Sequence, residues 1–270
     1  MPRLSPRVSP KALEAGRESL EQNEYPGRVI IQGLNSRGNA AVQAYALTGR
    51  RESSRNRAFV RDEYDQVRVV APGLTEEEMN AVPDSRFIYY KAMTHLLGIF
   101  VVSNGAQTDP VVLRLPDNPE LEAAVKDAPW DGGVNLASYE LDEPNFTPRI
   151  TGAIIYDWKI VRSALSIVRR HPESKQPVYT TYTAPGLKRW RPGVGFGIQT
   201  YNGNGDPLPS FDRQPYPFPL GETAEETAHV IWGVLNQDNR VAVVARTIDL
   251  GDESLDYHII NKHEVPEEAN

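Results

Sequence analysis

Cysteine is absent from the chain, and its absence excludes disulfides, thiolate catalysis and cysteine-ligated zinc. Histidine is scarce: there are five, and only His258 and His263 lie close together, near a polar C-terminal end, so spacing gives no reason to expect a metal centre. No apolar run approaches the roughly 20 residues that a membrane helix needs, and the N-terminus lacks the apolar core of a signal peptide. Cytoplasm is therefore the expected location, with no membrane partner. A net charge of −7 supplies no field that would draw nucleic acid, so any anion site must be local. A glycine-rich phosphate loop is missing too. Gly193-Val-Gly195-Phe-Gly197 has neither the spacing nor the strand-turn-helix setting of one.

The 270 residues, 40% of them hydrophobic and 24% charged, suffice for one large domain with a packed core. Residues 1–24 are polar and proline-punctuated, with a short helix expected over Pro10–Gln22, and they read as an N-terminal extension. The main domain is expected over 25–250, and 251–270 reads as an acidic, loose C-terminal tail.

Within the domain, strands are expected at Arg28–Gly33, Ala41–Leu47, Val67–Val70, Ile99–Ser103, Arg149–Tyr156, Ala164–Val168, Val178–Thr183 and Val241–Ala245. Helices are expected from Thr75, over Pro119–Lys126, and from a capping box at Thr223 and Glu226 to about Asn236. Phe87–Tyr90 is ambiguous between strand and helix. Tyr201-Asn-Gly-Asn-Gly205 is a turn in a stretch from Gly186 to Pro219 that is rich in glycine, proline and aromatics. Strands in hairpin succession, with few helices between groups, argue for an α+β fold built on antiparallel sheets.

The stretch Gly49-Arg-Arg-Glu-Ser-Ser-Arg-Asn-Arg57 puts four arginines at the mouth of a hairpin. Such a density of charge is either a solvated loop or the binding site of a phosphate or carboxylate, because a buried unpaired guanidinium is costly. Its setting includes Tyr25-Pro-Gly-Arg28, Phe87-Ile-Tyr-Tyr90, Val101-Val-Ser-Asn-Gly105 with Thr108-Asp109, and Tyr139-Glu140 with Thr147-Pro-Arg-Ile150.

In order and approximate spacing these blocks, with Ser54-Arg-Asn-Arg57, resemble the archaeal-type inosine monophosphate (IMP) cyclohydrolases over roughly Tyr25–Thr183. The resemblance implies a four-layer αββα sandwich similar to N-terminal-nucleophile hydrolases but lacking their N-terminal nucleophile. Here Met1 heads an extension instead. It implies dehydrative ring closure of 5-formamidoimidazole-4-carboxamide ribonucleotide to IMP in purine biosynthesis, with no metal and no other cofactor. Block by block, the family's catalytic arginine, tyrosine and glutamate fall on Arg57, Tyr90 and Glu140. Arg28, Arg55 and Arg149 are the candidates for phosphate, and Asn104 with the amide of Gly105 could read the base or hold the loop.

Competing readings make Arg57 and Glu140 a structural ion pair and Tyr90 a core aromatic with a satisfied hydroxyl. At the level of function, the alternatives are a catalytically silent purine-nucleotide-binding protein and an amide hydrolase of related fold. The extension, the loop at Trp130 and residues 188–218 exceed the compact members of the family and could cover the site or build a homo-oligomer interface.

Overall fold

The computed structural model describes residues 2–5, 7–82, 85–131, 134–157, 160–184 and 186–265. In chain order the elements are α1 (Pro10–Glu21), β1 (Arg28–Leu34), β2 (Ala40–Thr48), α2 (Glu52–Arg55), β3 (Ala58–Arg61), β4 (Val67–Val70), α3 (Glu76–Ala81), β5 (Lys91–Leu96), β6 (Ile99–Ser103), α4 (Thr108–Arg114), α5 (Leu121–Lys126), β7 (Trp130–Asp131), β8 (Val134–Asn135), β9 (Arg149–Asp157), β10 (Ile160–Arg170), β11 (Pro177–Ala184), β12 (Val194–Gln199), β13 (Tyr216–Pro219), α6 (Ala224–Val234), β14 (Arg240–Asp249) and β15 (Leu255–Asn261).

The strands form two antiparallel sheets, one of six in the order β13-β12-β1-β2-β14-β15 and one of seven in the order β11-β10-β9-β6-β5-β4-β3. Alternation decides which side chains meet. In the first sheet Ile30, Tyr45 and Val244 face inward, onto Phe59, Met93, Phe100, Val102 and Ile154 of the second. Val29, Ile31, Ala44 and Val243 face outward, under Leu20 of α1 and Ala228 and Ile231 of α6. On the far side, Val101, Ala153 and Ile155 pack under Val111 and Val112 of α4 and Leu121 and Val125 of α5. The layers are therefore helix, sheet, sheet, helix. Among the described residues no helix is long and apolar enough to cross a membrane.

A polar seam crosses the middle of the sandwich. The Gln32 amide nitrogen donates to Ser163 Oγ (2.8 Å) and Ala164 O (2.8 Å), and that of Gln43 donates to Gln32 Oε1 (3.0 Å) and Phe100 O (3.2 Å). Arg246, fully buried, donates to Gln43 Oε1 and to the carbonyls of Thr94 (3.1 Å) and Val101 (3.2 Å). Satisfied donors of this kind fix the offset of one sheet on the other, since sliding either sheet would strand several buried polar groups.

At the ends, one expectation changes and one becomes specific. Residues 255–261 are an edge strand rather than tail, paired to β14 through contacts such as Ala245↔His258. The extension is docked: α1 starts at Pro10 under a Ser9 cap, and its Leu20 is buried beneath the first sheet.

Candidate active site

The strand register brings one set of termini to a single rim of the sandwich. β1 starts where β2 ends (Arg28↔Leu47), and β14 starts opposite Thr48. In the second sheet β9 starts next to the end of β6 (Thr151↔Ser103), and β5 starts beside the end of β4. Arg28, Arg57, Tyr90, Asn104 and Arg149 all sit at these termini, so five residues far apart in sequence share one end of the fold.

The arginine-rich stretch divides. Ser54–Arg55 folds back over Gly49, where a Cβ would stand 2.4 Å from Ser54 O, so glycine is needed for this approach. Arg51 and Arg55 are exposed, whereas Arg57 is buried. Arg55 spends its guanidinium within the rim itself, its Nε donating to Gly49 O (3.1 Å) and its Nη2 to Asn239 Oδ1 (3.4 Å). Arg57 is held by the carbonyls of Ser54 (Nε, 2.9 Å) and Thr48 (Nη2, 3.1 Å). Burial, reinforced by the nearby charge of Arg28, pulls its pKa below the usual arginine value.

Glu140 is buried, and its backbone N–H donates to Thr147 O (2.9 Å), closing a loop over 140–147. Asp142 secures the loop by accepting from the Thr147 N–H (2.6 Å), while the Thr147 hydroxyl pairs with that of Tyr201. Arg149 Nη1 lies 3.7 Å from Glu140 Oε1 and donates to Gln107 Oε1 at 2.8 Å. Glu140 thus pairs with Arg149 rather than with Arg57. Burial raises the Glu140 pKa to about 7, against the pull of Arg28, Arg149 and Arg57. Among the described residues Glu140 Oε1, Arg149 Nε and Nη2, and Arg28 Nε are buried without hydrogen-bond partners. One acceptor and three donors left unmet in one small volume would cost several kcal/mol in an empty protein core, and they match a polar, anionic ligand.

Tyr90 is buried, with its hydroxyl 2.6 Å from that of Tyr45 on β2. Burial, aided by Tyr90, pushes the Tyr45 phenol well above its ordinary value. The half-buried Arg28 donates to Phe87 O (3.3 Å), tying β1 to the segment that precedes Tyr90. Beside it a cleft of about 630 Å³ runs along Val69–Thr75 and Tyr89–Lys91, with Tyr90 in its wall.

Asn104 is spent internally. Its Nδ2 donates to Pro148 O (2.9 Å), and its Oδ1 accepts from the Ile150 N–H (2.8 Å) and from Gln107 (3.2 Å), so it clamps the β6 end to the β9 start. Gly105 lies against the charged pair: a Cβ there would come within 2.5 Å of Arg149 Nη1, 2.7 Å of Gln107 Oε1 and 3.6 Å of Glu140 Oε1.

The structure thus gathers Arg57, Tyr90, Glu140, Arg28, Arg149 and Gly105, keeps Asn104 as a clamp beneath them, and leaves Arg55 outside that set. Sequence reasoning missed Tyr45, Gln107 and Tyr201. Tyr45 was the readable one, since a tyrosine inside an otherwise apolar buried strand must find a partner for its hydroxyl. Tyr201, read as the start of a turn, stacks on Tyr25 at 5.9 Å and walls the site from the side of β12.

No curated protein matches the chain. A family model described as IMP cyclohydrolase-like protein matches residues 25–253, which include every residue of this rim, and the chain belongs to that family.

Proposed function

We propose that this protein is an IMP cyclohydrolase that acts in the cytoplasm and closes the pyrimidine ring of 5-formamidoimidazole-4-carboxamide ribonucleotide in purine biosynthesis. The observation that carries the reading is Glu140: a buried carboxylate with a pKa near 7, ringed by Arg28, Arg57 and Arg149, whose Oε1 accepts no hydrogen bond among the described residues. Such a group both takes and returns protons at neutral pH.

In the reaction the carboxamide nitrogen bonds to the formyl carbon and loses one proton, and the formyl oxygen becomes a hydroxyl. That hydroxyl then departs as water with a second proton, while the former formamido nitrogen gives up its own and a C=N bond forms. One molecule of water leaves in balance. Glu140 accepts the amide proton and later delivers it to the departing hydroxyl. The Tyr90 hydroxyl, held by Tyr45, gives its proton to the formyl oxygen as the ring closes and regains one from the former formamido nitrogen as the C=N bond forms. Arg57, fixed by two carbonyls and short of hydration, stabilises the negative charge that develops there. The unmet donors of Arg28 and Arg149 are the best seats for the 5′-phosphate, and Arg55 stands outside this set.

The test is incubation of purified protein with the formylated ribonucleotide and chromatographic separation of products. IMP formed in proportion to protein supports the reading. Tight binding of the ribonucleotide without IMP would make the protein a nucleotide-binding module instead, and release of formate would make it an amide hydrolase.

A further inference from the structure

Away from the rim, α6 and β15 bring together three side chains that the reaction does not use. Glu225 and His229 stand one turn apart on α6, and His258 faces them from β15. One donor atom from each lies within 4.8 Å of the other two. Glu225 Oε1 is 4.0 Å from His229 Nε2, and the two imidazole rings are 5.3 Å apart. Neither imidazole makes a hydrogen bond among the described residues.

The spacing is held by the core rather than by chance contact of mobile side chains. Ala228 and Ile231, on either side of His229, are buried against Val243 and Ala245, and Ala245 is the register partner of His258. Two imidazoles fixed this close would repel each other if both were protonated, whereas two neutral ones present lone pairs to a common cation. Histidine nitrogens with one carboxylate are the donor set of late first-row divalent ions, zinc above all, at bond lengths of about 2.0–2.2 Å. Glu225 and His229 are exposed and His258 is half-buried, so the side chains have room to rotate toward that geometry.

We propose that Glu225, His229 and His258 bind one zinc ion, with water at the fourth position, and that the ion staples the outer helix α6 to the edge strand β15. Ala245 is five residues along β14 from Arg240 at the rim, about 16 Å at the rise of a strand, so the ion would act on stability and not on ring closure.

The experiment uses tag-free full-length protein, titrated with Zn²⁺ by calorimetry, with Co²⁺ absorption as a report on coordination geometry. One Zn²⁺ per chain is expected, with affinity falling about tenfold or more in His229→Ala and in His258→Ala, and a smaller loss in Glu225→Gln. Zn²⁺ should raise the Tm of the wild type and leave that of the two histidine variants unmoved, with circular dichroism confirming that both are folded. Absence of stoichiometric binding to the wild type, or binding that survives intact in both histidine variants, would overturn the proposal.

Discussion

Glu140→Gln removes the charge that the fold resists burying, and so should stabilise the protein while disabling it. The carboxyl titrates near 7 in the folded chain against 4.5 when unperturbed, and burial is the main cause. A raised pKa means that the folded state holds its proton more tightly than the unfolded state does. Between pH 4.5 and 7 the unfolded state has released that proton and the folded state has not, so wild-type stability falls as pH rises, by about 1.4 kcal/mol per pH unit. Above 7 both states are ionised and the loss is complete, at about 3 kcal/mol. Glutamine cannot ionise, so the stability of Glu140→Gln relative to wild type should improve by roughly 2–3 kcal/mol between pH 5 and pH 8, equivalent to roughly 4–5 °C in Tm for a chain of this length. Denaturant titrations of both proteins at a series of pH values measure it. Parallel curves would show that Glu140 ionises as an ordinary carboxylate, and the description of the site as a desolvated acid among arginines would fail.

Other expectations follow from the same geometry. Tyr90→Phe keeps the ring in the core and removes one hydroxyl, so the fold should persist, with stability lower by about 1 kcal/mol, while turnover drops about 10²–10⁴-fold; near-normal turnover would return Tyr90 to a packing role. Tyr90→Phe combined with Glu140→Gln should be little worse than the poorer single variant, since groups in one proton path do not add. Gly105→Ala pushes a methyl into Arg149 and Gln107, so KM for the ribonucleotide should rise with the protein still folded; an unchanged KM would separate Arg149 from binding. Free nucleoside should bind far more weakly than nucleotide, and binding of the nucleotide should weaken with salt; equal affinities would remove Arg28 and Arg149 from the phosphate. Chelator treatment should leave the ring-closure rate unchanged, and a rate restored by added zinc or magnesium would contradict the proposed chemistry.

The chain announces some of this in its residues and hides the rest for identifiable reasons. Strand positions such as Arg28–Leu34 and Ile99–Ser103 are legible because β-branched runs are bounded by turn residues. The layering is not, because β2 is buried on both faces and so carries no alternation to say which side meets a helix. The αββα order came from family resemblance. Helix α4 was missed because Pro110 looks like a breaker, although in the third helical position it costs no hydrogen bond. Strand β15 reads as tail in the sequence because Asp256, His258 and Asn261 give it the polar character common on sheet edges. The box at Thr223 is half-built: Thr223 caps the Glu226 N–H, but the Glu226 carboxylate accepts from the Glu222 N–H instead of returning to the cap. At the candidate site, resemblance pointed to charged residues that the fold places near one another, whereas Tyr45 and Gln107 enter through contacts that only the packing creates.

The most direct test of the central claim is the pH dependence of ring closure, followed by absorbance with the formylated ribonucleotide, for wild type and Glu140→Gln side by side. A base must be ionised to take the amide proton, so wild-type kcat/KM should climb with pH and level off above a midpoint near 7, where burial sets the Glu140 pKa. Glu140→Gln should lie about 10²–10⁴-fold lower and lack that limb. A limb that persists unchanged in Glu140→Gln, or a wild type that binds the ribonucleotide and never closes its ring, would contradict the account.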